Sequence, residues 1–547
     1  MEENYEEFSE EQIKILKHYV TNTTSHVFVL RNLPEVIKGA LFSKYSRSIL
    51  GLRSLLLKDF ISQEEAAFAA IAGKTSGKEE VEDQSQAITK AQRFYNNILD
   101  GYGDDSVGEL GGAHLALENI SMLAAKVIED SRIGGSPLEK STRYVYFDQK
   151  HHGEYLFYKE QVIMTSAYRH YYLDTCNALF DTYSKLIRPL TEIMEKKIPI
   201  GENEPVGPYR ASIRCKVLDC LRGLLPASTL TNMGIYGNGR FFEGLIQKLH
   251  CHNFSELQNL GKKVHQELSK EIPSFVTRSE PSHKHQKGFS VFKEQMDSDL
   301  KNLSKKHSVL LQKMRTPGVK LTSYDPDSLY QVAAALLFDH SNASLLELQE
   351  YCRKLPKEEL EAILDGACLS RENRRHKSPR ALEHAIFTFD ILADFGVYRD
   401  LQRHRMLTQE RQFLTCDFGY YIPQELVGTP LEEEYVSAVE NAKKAYDIIA
   451  RELPEEAQYV VPMAYNIHWY FHVNLRSLQW LCELRSAPQG HAGYRHIAQE
   501  LARQVSEVIP EFKRFFKFVN FDDCDLGRLA QEIRKAEKQQ CVEVINP

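Results

Sequence analysis

Two stretches of the chain follow one plan, and that repetition constrains the fold more than any single motif. In "DDSVGELGGAHLALENISMLAAKVIEDSR" (104–132) a polar turn and an acidic residue lead into a long apolar run that ends in charge. "HKSPRALEHAIFTFDILADFGVYRDLQRHR" (376–405) does the same. Further on, "LRGLLPASTLTNMGIYGNGRFFEGLIQKL" (221–249) parallels "AQYVVPMAYNIHWYFHVNLRSLQWLCELR" (457–485). Each has an apolar stretch with a Pro, an aromatic bridge, and Asn-x-Arg opening an apolar-periodic segment, so that Asn238–Arg240 lines up with Asn474–Arg476. Long amphipathic helices are expected next, over 255–272 and 495–509. One duplicated domain accounts for this, with helices dominating and a few strands. The alternative is two generic helical halves that share a pattern by chance. "TRYVYFD" (142–148) and "FGYYIP" (418–423) are aromatic and β-branched enough to read as strands or extended edges.

At 547 residues the chain is too long for one ordinary core. Its composition shifts between about 277 and 317, a polar stretch rich in Lys and His with enough periodicity for a connecting helix. Two domains are therefore expected, 1–300 and 301–547, and a solvent loop over 73–90. A net charge of −7 supplies no global basic field to gather nucleic acid, so any anion site must be local. The ten cysteines are scattered, with no CxxC and no zinc spacing, which suits reduced core thiols in a cytosolic compartment. The acidic N-terminal stretch is not expected to be a signal peptide. No run is long and apolar enough to span a bilayer.

Three stretches carry candidate chemistry. In "EKSTRYVYF" (139–147) an extended backbone would turn Glu139, Ser141 and Arg143 to one face, a hydroxyl and a guanidinium fork suited to phosphate. A polar strand edge with an internal Glu–Arg pair is the plainer reading. In "RHR" (403–405) an extended backbone would put Arg403 and Arg405 together and His404 opposite, where two guanidiniums call for an anion; a solvated cluster is the plainer reading. On a helix from 472 onward, Asn474, Leu478, Leu481 and Arg485 share one side. That face suits a flat, partly apolar ligand, and equally suits packing on a neighbouring helix.

With these residues together, the sequence resembles the flavin-dependent thymidylate synthases, whose signature is Arg-His-Arg, a short spacer, then Glu-x-Ser-x-Arg-Tyr. The parts lie in different halves. The second half carries Arg403-His404-Arg405, followed by "MLTQERQFL", where Glu410 matches but Ser and Arg-Tyr are missing. The first half carries "EKSTRY" but reads "EDSR" (129–132) where Arg-His-Arg belongs. The family's substrate-binding Arg before Leu-Pro is Arg222 in one half and Gln458 in the other. Its substrate-activating Arg is Arg485 in one half and Leu249 in the other.

The losses are complementary, so one working composite site and one dead reciprocal site are expected. The resemblance implies an α+β fold of two tandem synthase copies, each helix-rich with a small, mainly antiparallel sheet. It implies that dUMP, methylenetetrahydrofolate and NADPH give dTMP through FAD, with no cysteine nucleophile, no metal and no nucleic-acid or membrane partner. A homodimer, a pseudo-tetramer of single copies, is implied as well. By the same resemblance Arg485 is the catalytic cation. Glu139, Ser141, Arg143, Arg222 and Arg403 bind substrate. Arg403, His404, Arg405, Asn474, Arg476, Ser378, Ser106 and His491 hold the flavin. Asp400 stands where the family has Gln and is expected to point away or pair with Arg403; Trp480 stands where it has Asn. The rivals are a non-catalytic descendant that keeps the fold, a nucleic-acid binder using "RENRRHKSPR", and a helical metal enzyme using His376, Glu383, His384 and His404. A helix would splay Glu383 and His384 about 100° apart.

Overall fold

The computed structural model describes residues 7–46, 48–58, 108–308 and 316–545. Ser106 and the expected loop at 73–90 lie outside them. The chain divides into two compact units, Met1–Glu118 with Ser131–Glu139 and Asn232–Leu311, and Asn119–Asp130 with Lys140–Thr231 and Gln312–Pro547. These units do not follow the repeat boundary. Most of 119–231 joins the second half of the sequence, and the functional argument concerns that second unit.

In the first unit, strands β1 (Gly112–Ser121) and β2 (Gly135–Glu139) flank β5 (Leu230–Asn238), and β2 runs antiparallel to β5 with Glu139 opposite Met233. Asn238 ends β5 and caps the helix Gly239–His250, accepting from Phe241 N at 2.8 Å. The expected amphipathic helix follows as Ser255–Glu271, burying Leu257, Val264 and Leu268. The connecting helix of the polar stretch is Lys284–Ser308.

In the second unit, a two-residue hairpin pairs β3 (Lys150–His151) with β4 (Glu154–Tyr155). The main sheet is antiparallel, with β6 (Gly318–Tyr324), β7 (Ile386–Asp394), β9 (Asn466–Asn474) and β8 (Thr408–Arg411) in that order. Alternation dictates its buried face: Phe387, Phe389 and Ile391 on β7, and Ile467, Trp469, Phe471 and Val473 on β9. β7 runs directly into the helix Phe395–Leu401, capped by Asp394, and β9 into the helix Leu475–Arg485, capped by Asn474. Ser121 caps Met122–Glu129 in the same way. The strand-into-capped-helix unit therefore recurs at the positions the repeat predicts.

The repeats meet along a local two-fold axis. Pro226 and Pro462, the matched prolines, bridge each other in antiparallel register. Ala227 N donates to Val461 O and Met463 N to Leu225 O, both at 2.9 Å. Ser228 N donates to Tyr459 O and Ala464 N to Gly223 O. Each bond has its symmetry mate, as an isologous contact requires.

Two expected strands are corrected. Residues 142–144 form a turn just after β2, with the Ser141 hydroxyl accepting from Arg143 N at 3.2 Å, so the chain reverses instead of alternating. In 418–423 only Tyr420 pairs, in a single bridge to Tyr465. Nine described cysteines are unpaired and seven of them are buried, as expected of core thiols.

Asp394 is buried, and burial raises its carboxyl to about 6 although Arg222 opposes the shift. Between the unfolded value of 3.8 and that folded value, folding takes up a proton, so this group makes stability fall as pH rises. Asp394→Asn keeps an oxygen acceptor for Val397 N and removes the buried charge. Its thermal midpoint should exceed the parent's at pH 7, and the difference should vanish near pH 4; an unchanged midpoint at pH 7 would contradict this.

Candidate active site

The helix Val206–Leu221 and the short turn after it carry two charged side chains of the first repeat, Asp219 and Arg222. Arg143, from the turn after β2, lays its guanidinium against Asp219, with Nε to Oδ1 at 2.6 Å and Nη2 to Oδ2 at 2.8 Å. Nη1 donates to Tyr494 Oη at 2.8 Å and Nη2 also to Gln489 O at 3.3 Å. Burial alone would raise the Asp219 carboxyl, but the Arg143 charge and hydrogen bonds outweigh it and hold the group below its usual range.

Arg222 donates through Nη1 to Asp400 Oδ2 at 2.8 Å, and its Nη2 is buried without a hydrogen-bond partner. Gly396 permits the approach: a Cβ there would stand 3.0 Å from Asp394 Oδ1 and 3.3 Å from Arg222 Nε. Burial would raise Asp400 too; Arg222 first, then Arg143, Arg485 and Arg403, hold it well below the carboxylate range. Asp400 thus pairs with Arg222, a partner the sequence did not suggest, and the Arg403 charge also acts on it.

A cavity of about 520 Å³ opens beside this cluster. Arg403, His404 and Arg405 all line it, because the chain turns after Leu401 instead of extending, which corrects the expected opposition of His404 to the two arginines. Ser378, Asn474, Arg476 and Arg485 line it as well. Arg485 Nε donates to His404 Nε2 at 2.9 Å. Withdrawal from solvent, then the Arg485 charge, push the His404 imidazole well below its usual range, which keeps Nε2 free to accept. Arg476 is balanced by Glu383 at 2.7 Å, and Ser378 Oγ is buried without a partner. Leu478 and Leu481 belong to the core, so of the two readings of that helix face the packing one holds. Trp480 is exposed in the cavity with Arg374 over its ring at 5.4 Å.

Two expected residues fall elsewhere. His491 stands outside the large cavity: its Nδ1 accepts from Gly493 N to cap the helix Ala492–Val508, and its Nε2 faces Asp219 O at 3.3 Å. Burial, then Arg222, lower it to about 4. Glu139 lies in the other compact unit, buried at the end of β2. Asp219 and Tyr494 were not singled out from the sequence. An acid one helical turn before Arg222, and an aromatic one turn after His491, were the available signals. At Gln458, the counterpart of Arg222, the amide accepts from Leu414 N and donates to Glu455 O, both at 3.0 Å, so it is consumed by its own backbone. Among the described residues no cluster of His, Cys, Asp or Glu could hold a metal ion.

Asp400→Asn strips the counter-charge from a buried arginine and should cost about 3 kcal/mol. The stabilisation by Asp400 is present above its unfolded value and is lost only as pH falls through a much lower folded one. The gap in thermal midpoint between parent and variant should therefore persist at pH 4; closure of the gap there would refute the pairing.

Residues 56–274 and 320–511 match the profile of the family described as thymidylate synthase complementing protein. A UPF0159 protein of Chlamydia pneumoniae is 56% identical over 530 residues, spanning 97% of this chain and 98% of its own. A UPF0159 protein of Thermoplasma acidophilum is 33% identical, spanning 92% and 99%. A flavin-dependent thymidylate synthase of Clostridium tetani is 28% identical over 224 residues, 36% of this chain and 85% of its own. The crystal structure of the UMP/dUMP methylase PolB from Streptomyces cacaoi bound with 5-Br UMP covers 38% of this chain at 18% identity and a TM-score of 0.28.

Proposed function

Because the chain belongs to the thymidylate synthase complementing protein family, we propose that it is a flavin-dependent thymidylate synthase whose working site closes between unlike repeats of one chain. The observation that carries this reading is the meeting of Arg143 and Arg222 from the first repeat with Arg403 and Arg485 from the second around one carboxylate, Asp400. Like charges gather only where an anion compensates them, and four guanidiniums against the two carboxylates Asp400 and Asp219 leave a positive excess for a nucleotide phosphate.

In this reading Ser141, Arg143 and Arg222 bind the phosphate of dUMP, the unpartnered Nη2 of Arg222 supplying donors ready to be used. Arg485 donates to a uracil carbonyl and offsets negative charge developing on the ring. His404 accepts from Arg485 Nε and so fixes the plane of that guanidinium. Arg403 and Arg405 face the anionic parts of nucleotide and cofactor. Ser378, Asn474 and Arg476 would hold FAD: seven Arg and Lys side chains line the cavity against one carboxylate, Glu383, and the orphaned Ser378 hydroxyl is a donor with no protein partner. When bound, FAD supplies the hydride, drawn from NADPH, that reduces the one-carbon unit of methylenetetrahydrofolate. The thiols take no nucleophilic part; burial pushes Cys176 up to about 12. We place the enzyme in the cytoplasm as a homodimer of 62.9 kDa chains. Among the described residues no helix is long and apolar enough to cross a membrane.

One observation favours a second reading, a non-catalytic descendant: Arg143 and Arg222 already hold carboxylates. Two measurements separate the readings. The purified protein should be yellow with an oxidised-flavin spectrum, or take up added FAD, and it should rescue a thymidine-requiring bacterium. Arg485→Ala and Arg143→Ala should each abolish rescue, while Gln458→Ala should be mild. Normal growth with Arg143→Ala would end the composite-site proposal.

A further inference from the structure

The phosphate end and the activating end of the site are joined by one side chain that neither role assigns. Tyr494, 5% exposed on the first turn of the helix Ala492–Val508, accepts from Arg143 Nη1 at 2.8 Å. The face of the same ring carries the Arg485 guanidinium, 5.4 Å from its centroid. Asp219 takes Nε and Nη2 of Arg143, so Nη1 is the edge turned to the phenol. The ring is tightly seated. A Cβ at Gly490 would come within 2.7 Å of Tyr494 Cε2, so glycine is required beside it. A guanidinium from each repeat thus leans on one confined phenol, one through its hydroxyl and the other through its face.

We infer that Tyr494 is a positioning residue that makes Arg485 answer to the phosphate end of the substrate. The inference rests on the reading proposed above and deepens it. A phosphate that fixes Arg143 fixes the phenol through Nη1, and the phenol backs Arg485 against the uracil ring. A nucleoside without phosphate leaves Arg143 to its protein partners Asp219, Gln489 O and Tyr494, and Arg485 has a less firm backing. Binding energy at a remote, non-reacting group is thereby realised at the reacting ring.

The test uses the FAD-loaded enzyme with dUMP, with deoxyuridine, and with deoxyuridine plus phosphite dianion. The parent should turn over deoxyuridine poorly, and phosphite should stimulate that turnover. Tyr494→Phe keeps the ring face and loses the hydroxyl. It should lower phosphite stimulation about tenfold, the scale of one hydrogen bond to a charged group, and lower kcat on dUMP more than it raises KM. Gly490→Ala, whose Cβ would crowd the ring together with Arg495 Cγ and Ala487 O while leaving the hydroxyl, should reproduce the loss. A flavin content matching the parent's checks that both variants are folded. Equal phosphite stimulation in parent and Tyr494→Phe overturns the coupling, as does a parent that converts dUMP but is indifferent to phosphite with deoxyuridine. A parent that converts no dUMP at all removes the functional reading, and this inference with it.

Discussion

Ala227 N bonds to Val461 O and Met463 N to Leu225 O, and this pair of main-chain exchanges sets the rest of the second unit. A backbone hydrogen bond buried between two chain segments is obligatory once made, so it fixes register to within one residue. Arg222 lies just before the exchanged segment of the first repeat. The helix Phe395–Leu401 is hung from the exchanged segment of the second, with Phe395 N on Tyr465 O and Gly396 N on Met463 O. Asp400, near the end of that helix, is thereby delivered to Arg222. The ion pair between repeats is a consequence of where the backbones lock.

The charges then organise one another. Arginines 143, 222, 403 and 485 act on Asp400, and Asp219 holds Arg143 from behind. Such a buried array contributes little net stability, because desolvation consumes most of the Coulomb gain. What it provides is geometry, with the Arg143 and Arg222 guanidiniums oriented by Asp219 and Asp400. A neutral His404 fits that arrangement, since a protonated imidazole could not accept from Arg485. Around the partner positions the same backbone plan holds different chemistry: the Gln458 amide is tied to the main chain through both its oxygen and its nitrogen.

Much of this was legible in the residues. Apolar periodicity marked the helices Ser255–Glu271 and Ala492–Val508, and the matched Asn-x-Arg segments marked two helix starts, where Asn238 and Asn474 are the caps. The two-repeat plan followed from those pairs; the α+β fold, two tandem copies of the flavin-dependent thymidylate synthase fold with small antiparallel sheets, followed from the family resemblance of the motifs. Short motifs were misread where side-chain hydrogen bonding overrode propensity. Residues 142–148 are aromatic enough for a strand, but the Ser141 hydroxyl captures Arg143 N and the chain turns. Arg403 to Arg405 follow a helix and bend around the cavity rim, so period-two alternation does not apply to them.

The order of residues by itself determined that there are two repeats, which motifs each has kept, and where helices begin and end, because these depend on local periodicity and capping chemistry. Only the tertiary structure decided that Arg222 faces Asp400, that Arg143 is shared between Asp219 and Tyr494, and that residues 119–231 pack largely with the second half of the chain. Those facts depend on which backbones exchange hydrogen bonds across some two hundred residues of intervening chain. No local preference encodes a partner at that distance; packing around the two-fold contact does.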